Sequence, residues 1–89
     1  MLDQTPNDPV ALALAALAAT LGDERRAQRF LDLTGIGTDE LRSKASDPVL
    51  LAAVLRFLEA FEPDLLSVAE ALGVPPAQLV EARRQLEDQ

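Results

Sequence analysis

The tripeptide Asp-Pro-Val occurs at Asp8-Pro9-Val10 and again at Asp47-Pro48-Val49, and each copy opens an almost uninterrupted apolar run. Aspartate before proline is a helix start. The carboxylate accepts orphan N–H groups of the first turn, and proline fits the first helical position because its missing N–H has no partner there anyway. The first run has helical spacing: Val10, Leu14, Leu17 and Leu21 fall at i, i+4, i+7 and i+11, on one side of a 3.6-residue helix. The period-two alternation of a half-buried strand is nowhere evident in the sequence. The chain is therefore expected to be all-α.

Further punctuation divides the rest. Gly22, Gly35 and Gly73 stand at the ends of the first, second and fifth segments, where glycine takes a left-handed terminating conformation without steric cost. Asp23 caps a second helix carrying Ala27, Phe30, Leu31 and Thr34 on one side. Thr38 is read as the cap of a short third helix, with Asp39 and Glu40 near its positive end and Leu41 and Ala45 facing inward.

The fourth helix is the most apolar, with Arg56 as its one charge between Val49 and Leu58. A helix apolar nearly all round is usually central. Leu50, Val54, Phe57 and Phe61 mark one stripe, and Leu51, Leu55 and Leu58 a second face, which is either core or part of a subunit interface. Glu62-Pro63-Asp64 opens the fifth helix, with Leu65, Val68, Ala69 and Leu72 inward. Pro75-Pro76 opens the sixth, with Leu79, Ala82 and Leu86 inward. The expected architecture is a compact bundle of six short helices: a single helical domain over residues 8–89, after a flexible tail over 1–7. The repeated Asp-Pro-Val, together with Gly35-Ile36 before Leu41 and Gly73-Val74 before Leu79, raises the reading of two pseudo-repeated three-helix units.

Composition narrows the function. The 89 residues contain no Cys, His, Tyr or Trp, so the usual proton shuttle, the best thiol nucleophile and the commonest metal ligand are all missing. The glycines sit at helix ends rather than in a phosphate-cradling loop. No enzyme activity, metal or cofactor is expected. With no disulfide to help, a domain of this size buries only about 60–65% of its unfolded surface and rests on hydrophobic packing alone. The net charge of −7 disfavours nucleic acid and anionic membrane. It reads as a solvated acidic face, with attraction of a basic partner as the functional alternative. The Val10–Ala19 run is too short to span a bilayer. It also lacks the basic leader of a secretory signal, since Asp3 and Asp8 precede it. The expected location is the cytoplasm.

Two local patterns invite functional readings. Leu66 to Ala82 has helix-turn-helix spacing, with Ala69 at the crossing, Gly73 in the turn and Val68, Leu72, Val74, Leu79 and Ala82 at packing positions. Its second helix, however, presents Ala77, Gln78, Val80 and Glu81 where a recognition helix needs groups for bases and phosphates, and Arg83 and Arg84 come late. The other pattern is Arg25, Arg26 and Arg29, either a solvated face beside Asp23 and Glu24 or a hold for an acidic peptide or phosphate.

The stretches Arg29-Phe30-Leu31-Asp32-Leu33-Thr34-Gly35 and Asp47-Pro48-Val49-Leu50-Leu51-Ala52-Ala53-Val54-Leu55-Arg56-Phe57-Leu58 resemble a small, mostly alphaproteobacterial family catalogued as domain of unknown function 3572. The resemblance runs from about Asp8 onward. It implies a compact cytoplasmic helical protein and supplies no activity or binding residues. The function expected from the residues is a small protein-interaction module without catalytic activity. Its partner is an unidentified protein or a second copy of the chain, and its candidate surface comprises Leu51, Leu55, Leu58, Arg25, Arg26 and Arg29. The alternative is an acidic helix-turn-helix-like DNA-associated regulator.

Overall fold

A computed structural model of the chain describes residues 8–88, so the tail expected over 1–7 lies outside the described residues. Six helices follow one another: α1 (Pro9–Leu21), α2 (Glu24–Thr34), α3 (Thr38–Ser43), α4 (Pro48–Glu59), α5 (Glu62–Leu72) and α6 (Pro76–Glu87). No strand occurs among the described residues.

The helix starts follow the chemistry of their caps. Asp8 accepts from the N–H groups of Val10 at 3.0 Å and Ala11 at 3.2 Å, and Asp47 accepts from Val49 at 2.9 Å. Asp23 accepts from the Arg26 N–H at 3.0 Å. That bond, helped by the arginine charges beside it, holds the Asp23 carboxyl below its ordinary pKa. One start differs from expectation. Gly37 precedes α3, so Thr38 is its first helical residue and no side chain caps it. At the other ends, Gly35 and Gly73 are left-handed, each with φ of 71°, but Gly22 is right-handed at φ −76° and ψ −13°. Asp23 begins the next cap immediately, so the chain passes from α1 to α2 without a left-handed residue.

Two helices share the centre. α1 lies against α2, α4, α5 and α6, and α4 lies against α1, α5 and α6. The buried face of α1 is Ala13, Ala16, Leu17 and Thr20, rather than the leucine stripe: Val10 and Leu14 are half-buried and Leu21 is 39% exposed. A helix hemmed in by four neighbours presents small residues where the axes approach, because the side chains at the contact set the spacing. The Thr20 hydroxyl is satisfied inside this face by donating to the Ala16 carbonyl at 2.8 Å. α4 supplies half of the large core side chains, and Phe57 meets Phe30 of α2 edge-to-face at 5.2 Å between ring centroids. Phe61 leaves the stripe assigned to it, because α4 ends at Glu59 and Phe61 becomes the half-exposed residue preceding α5.

The halves of the chain do not pack alike. α6 spans twelve residues and lies against α1 and α4, whereas α3 spans six and has no comparably extensive contact with any helix. The similarity of the halves is thus a property of the sequence, and equivalent packing does not accompany it.

Candidate interaction surface

Leu51, Leu55 and Leu58 are fully buried within the single chain. Their assignment to an interaction surface is corrected: α4 is enclosed by α1, α5 and α6, and this face is the one turned to them. What α4 shows to solvent is Val49, 78% exposed, and Arg56. A homodimer built on the leucine face has no surface left to use.

The arginines of α2 divide. Arg25 is exposed, but Arg26 and Arg29 both turn to Asp64 in the first turn of α5. Asp64 is only 9% exposed. Arg29 Nη2 donates to Asp64 Oδ2, and its guanidinium lies 5.0 Å over the Phe57 ring and 4.8 Å over that of Phe61, a cation–π geometry. Arg26 reaches further. Its Nη1 donates to the Ala19 carbonyl in the last turn of α1 and its Nη2 to Ser67 Oγ, both at 3.2 Å. Its Nε stands 3.3 Å from Asp64 Oδ1, without a hydrogen bond of its own. One carboxylate therefore ties α2 to α5, and Arg26 ties both to the carbonyl end of α1. Sequence reasoning missed Asp64, which looks like an ordinary acidic residue of a helix first turn. The one available signal was its place four residues before the inward Val68.

The helix-turn-helix segment is α5, the left-handed turn at Gly73, and α6. Arg83 is not offered outward for phosphate. Its Nε donates to Glu59 of α4 at 2.6 Å and its Nη1 to Glu87 at 2.8 Å. Glu87 also accepts from Arg56 Nε at 2.6 Å. This bond, with the nearby guanidinium charges, holds the Glu87 carboxyl below its ordinary pKa, while the Glu59 bond raises that of Arg83. These pairs clamp α6 to α4. Arg84, the other basic residue, is exposed within 3.9 Å of Glu81.

A mostly apolar groove lies elsewhere. Where α1 ends, α2 and α3 diverge and leave a groove of about 460 Å³, lined by Leu17, Leu21, Ala27, Leu31, Thr38, Leu41, Arg42 and Ala45. Its wall is almost wholly carbon, with Thr38 and Arg42 as the polar members. Three apolar pairs build it, each at i, i+4: Leu17 with Leu21, Ala27 with Leu31, and Leu41 with Ala45. Those pairs were legible as inward-facing residues. That the short α3 leaves them partly uncovered was not. A second concavity of about 420 Å³ between α4 and α6 is lined by Pro48, Val49, Ala52, Arg56, Leu86 and Glu87, and the Arg56–Glu87 ion pair forms part of its wall. No cluster of three His, Cys, Asp or Glu suited to a metal ion occurs among the described residues, and no described helix is long and apolar enough to cross a membrane.

The family described as Protein of unknown function (DUF3572) has a model that matches residues 6–89, and the chain belongs to that family. No curated protein and no solved structure matches it.

Proposed function

We propose that the chain is a small cytoplasmic protein-interaction module without catalytic activity, and that the groove between α1, α2 and α3 is its docking surface. The observation that carries this reading is the open apolar lining, with Leu21 and Leu31 beside the buried Leu17 and Leu41. Apolar concavities of several hundred Å³ are where ligand surface is best desolvated, and a groove between helices takes the apolar face of a further helix. The weak packing of α3 adds to this, because a lightly held element can adjust to a guest. The cytoplasmic assignment is supported by the Val10–Ala19 run: Ala13, Ala16 and Leu17 within it belong to the core, as a secretory signal removed on export would not. The DNA-regulator alternative has no comparable support, since Arg83 is spent on Glu59 and Glu87.

The test uses a synthetic helical peptide of about 18 residues, five turns, with leucines at i, i+3, i+4 and i+7, made with either lysine or glutamate flanking the stripe. Each is titrated into the isotopically labelled full chain. Amide and methyl shifts centred on Leu21, Ala27, Leu31 and Leu41 with at least one peptide are expected. Absence of shifts there with both peptides, at up to about millimolar concentration, would overturn the reading.

A further inference from the structure

Alone among the six helices, α3 has no extensive contact with a neighbour, and Leu41 is its single buried residue. Its polar bonds close on themselves. Ser43 Oγ donates to the Glu40 carbonyl at 3.2 Å, Lys44 Nζ donates to Glu40 Oε2 at 3.5 Å, and Arg42 stands 4.0 Å from Asp39. Each of these contacts begins and ends within the segment, so none of them ties α3 to the core. The chain is held firmly only on either side of it. Ile36 packs against the core, with its N–H donating to Thr34 Oγ at 3.3 Å. Asp47 caps α4 through the Val49 N–H. Just after the first of these fixed points, Gly37 has open space around it, since a Cβ there would meet nothing within 4 Å.

α3 is also unsupported on two opposite sides. Thr38, Leu41, Arg42 and Ala45 line the groove toward α1 and α2. Glu40 and Lys44 fall on the other side of the helix by its 3.6-residue period. They line a second hollow, of about 170 Å³, whose far wall is Val49, Leu50 and Ala53 of α4. Leu41 is the pin that separates the two hollows. A helix of six residues does not persist in water without tertiary support, so release of Leu41 melts α3 as a unit. We infer that residues 37–46 are a strap, fixed at Ile36 and Asp47 and pinned by Leu41, whose release joins the groove and the smaller hollow into one trench running from α1 and α2 to α4. Closed, the strap keeps Leu17 and Leu50 covered on its two sides. Open, it presents both. A guest long enough to fill both hollows binds the open form better and shifts the population toward it. Elements that open in this way are drawn from the least stable part of a fold, which in this molecule is α3.

The first test is native-state amide exchange on the full chain. The amides of Leu41 and Lys44 donate to the Gly37 and Glu40 carbonyls. They are expected to be about a hundredfold or more less protected than amides in the middle of α4, with a much weaker dependence on denaturant. Exchange of both groups at one level of protection and with one denaturant slope overturns the strap, because α3 then opens only with the whole molecule. The second test compares the parent with Leu41→Ala, reading methyl accessibility to a soluble nitroxide. The variant is expected to keep a cooperative melt, to lose about tenfold or more of the Lys44 amide protection, and to expose the methyls of Leu17 and Leu50 together. Retained Lys44 protection, or exposure on one side only, overturns the joined trench. Unfolding of the whole chain by Leu41→Ala overturns it as well, because losing the pin of a strap costs no more than opening the strap. Neither test uses a guest, so both outcomes are independent of whether the groove binds a helical peptide.

Discussion

At the residue scale, Asp64 is the side chain on which the most structure converges. Buried carboxylates are tolerated when paired, and removing one partner of such a pair leaves the other charge desolvated without compensation. Arg26 has a side chain 12% exposed, so it cannot simply swing into water. Asp64→Ala should therefore destabilise the fold by about 2–3 kcal/mol, read as a fall in Tm of roughly 10–20 °C for a domain of this size. An unchanged Tm would mean that the Arg26–Asp64–Arg29 cluster is ornamental. Titration supplies a second expectation. Glu87 and Asp23 are held below their ordinary pKa values of 4.5 and 3.8. Each contributes stability that is present above its ordinary value and is lost as pH falls through its lowered one. Tm should thus be level from neutrality to about pH 5 and decline below it, and Glu87→Gln should make the decline shallower. A decline equally steep in Glu87→Gln would contradict this linkage.

At the element scale, the helices were legible because their starts and stops are local chemistry. Asp8, Asp23 and Asp47 cap from their own side chains, and Pro76 takes the first position of α6. Which face each helix buries was less legible, because neighbours decide it. The leucine period of α1 pointed to Leu21, whereas crowding by four helices selected Ala13 and Ala16. Gly22 shows the same limit: a glycine after a helix reads as a left-handed stop, yet the adjacent cap of α2 keeps it right-handed. The glycines then give a direct comparison. At Gly73 a new Cβ meets nothing within 4 Å, so Gly73→Ala pays only for the left-handed backbone, about 1–2 kcal/mol. At Gly22 the backbone suits alanine but the Cβ lies 3.3 Å from the Ala18 carbonyl oxygen, so Gly22→Ala should stay within about 0.5 kcal/mol of the parent. Denaturant melts of both variants check the ordering. In α4, Leu55→Asp places a charge at a position with no exposure and should abolish the helical circular dichroism signal. A folded Leu55→Asp monomer would instead show that this face had served an interface.

At the scale of the whole molecule, the parts divide labour. α4 and α1 form the core, ion pairs clamp α6 to α4 and α2 to α5, and the short α3 is left lightly held beside an apolar groove. The sequence suggested a surplus of apolar surface and placed it on the leucine face of α4. That surplus lies instead between α1, α2 and α3, since covering a helix depends on the length and direction of its neighbours, which no periodicity encodes. The charge of the chain was legible from the start. Its distribution, with Arg26 and Arg29 withdrawn toward Asp64 and Arg25 left exposed with Glu24 and Asp32, was not.

The most direct measurement pairs two exposed apolar residues in different concavities. Leu21 lines the groove proposed to dock a helix, and Val49 lines the concavity between α4 and α6. Isothermal titration of the tighter-binding helical peptide into Leu21→Lys should show affinity reduced about tenfold or more, the scale of one lost apolar anchor with a charge in its place. Val49→Lys should bind as the parent does. Loss of binding in Val49→Lys with none in Leu21→Lys, or no change in either, would contradict the groove between α1, α2 and α3 as the docking surface.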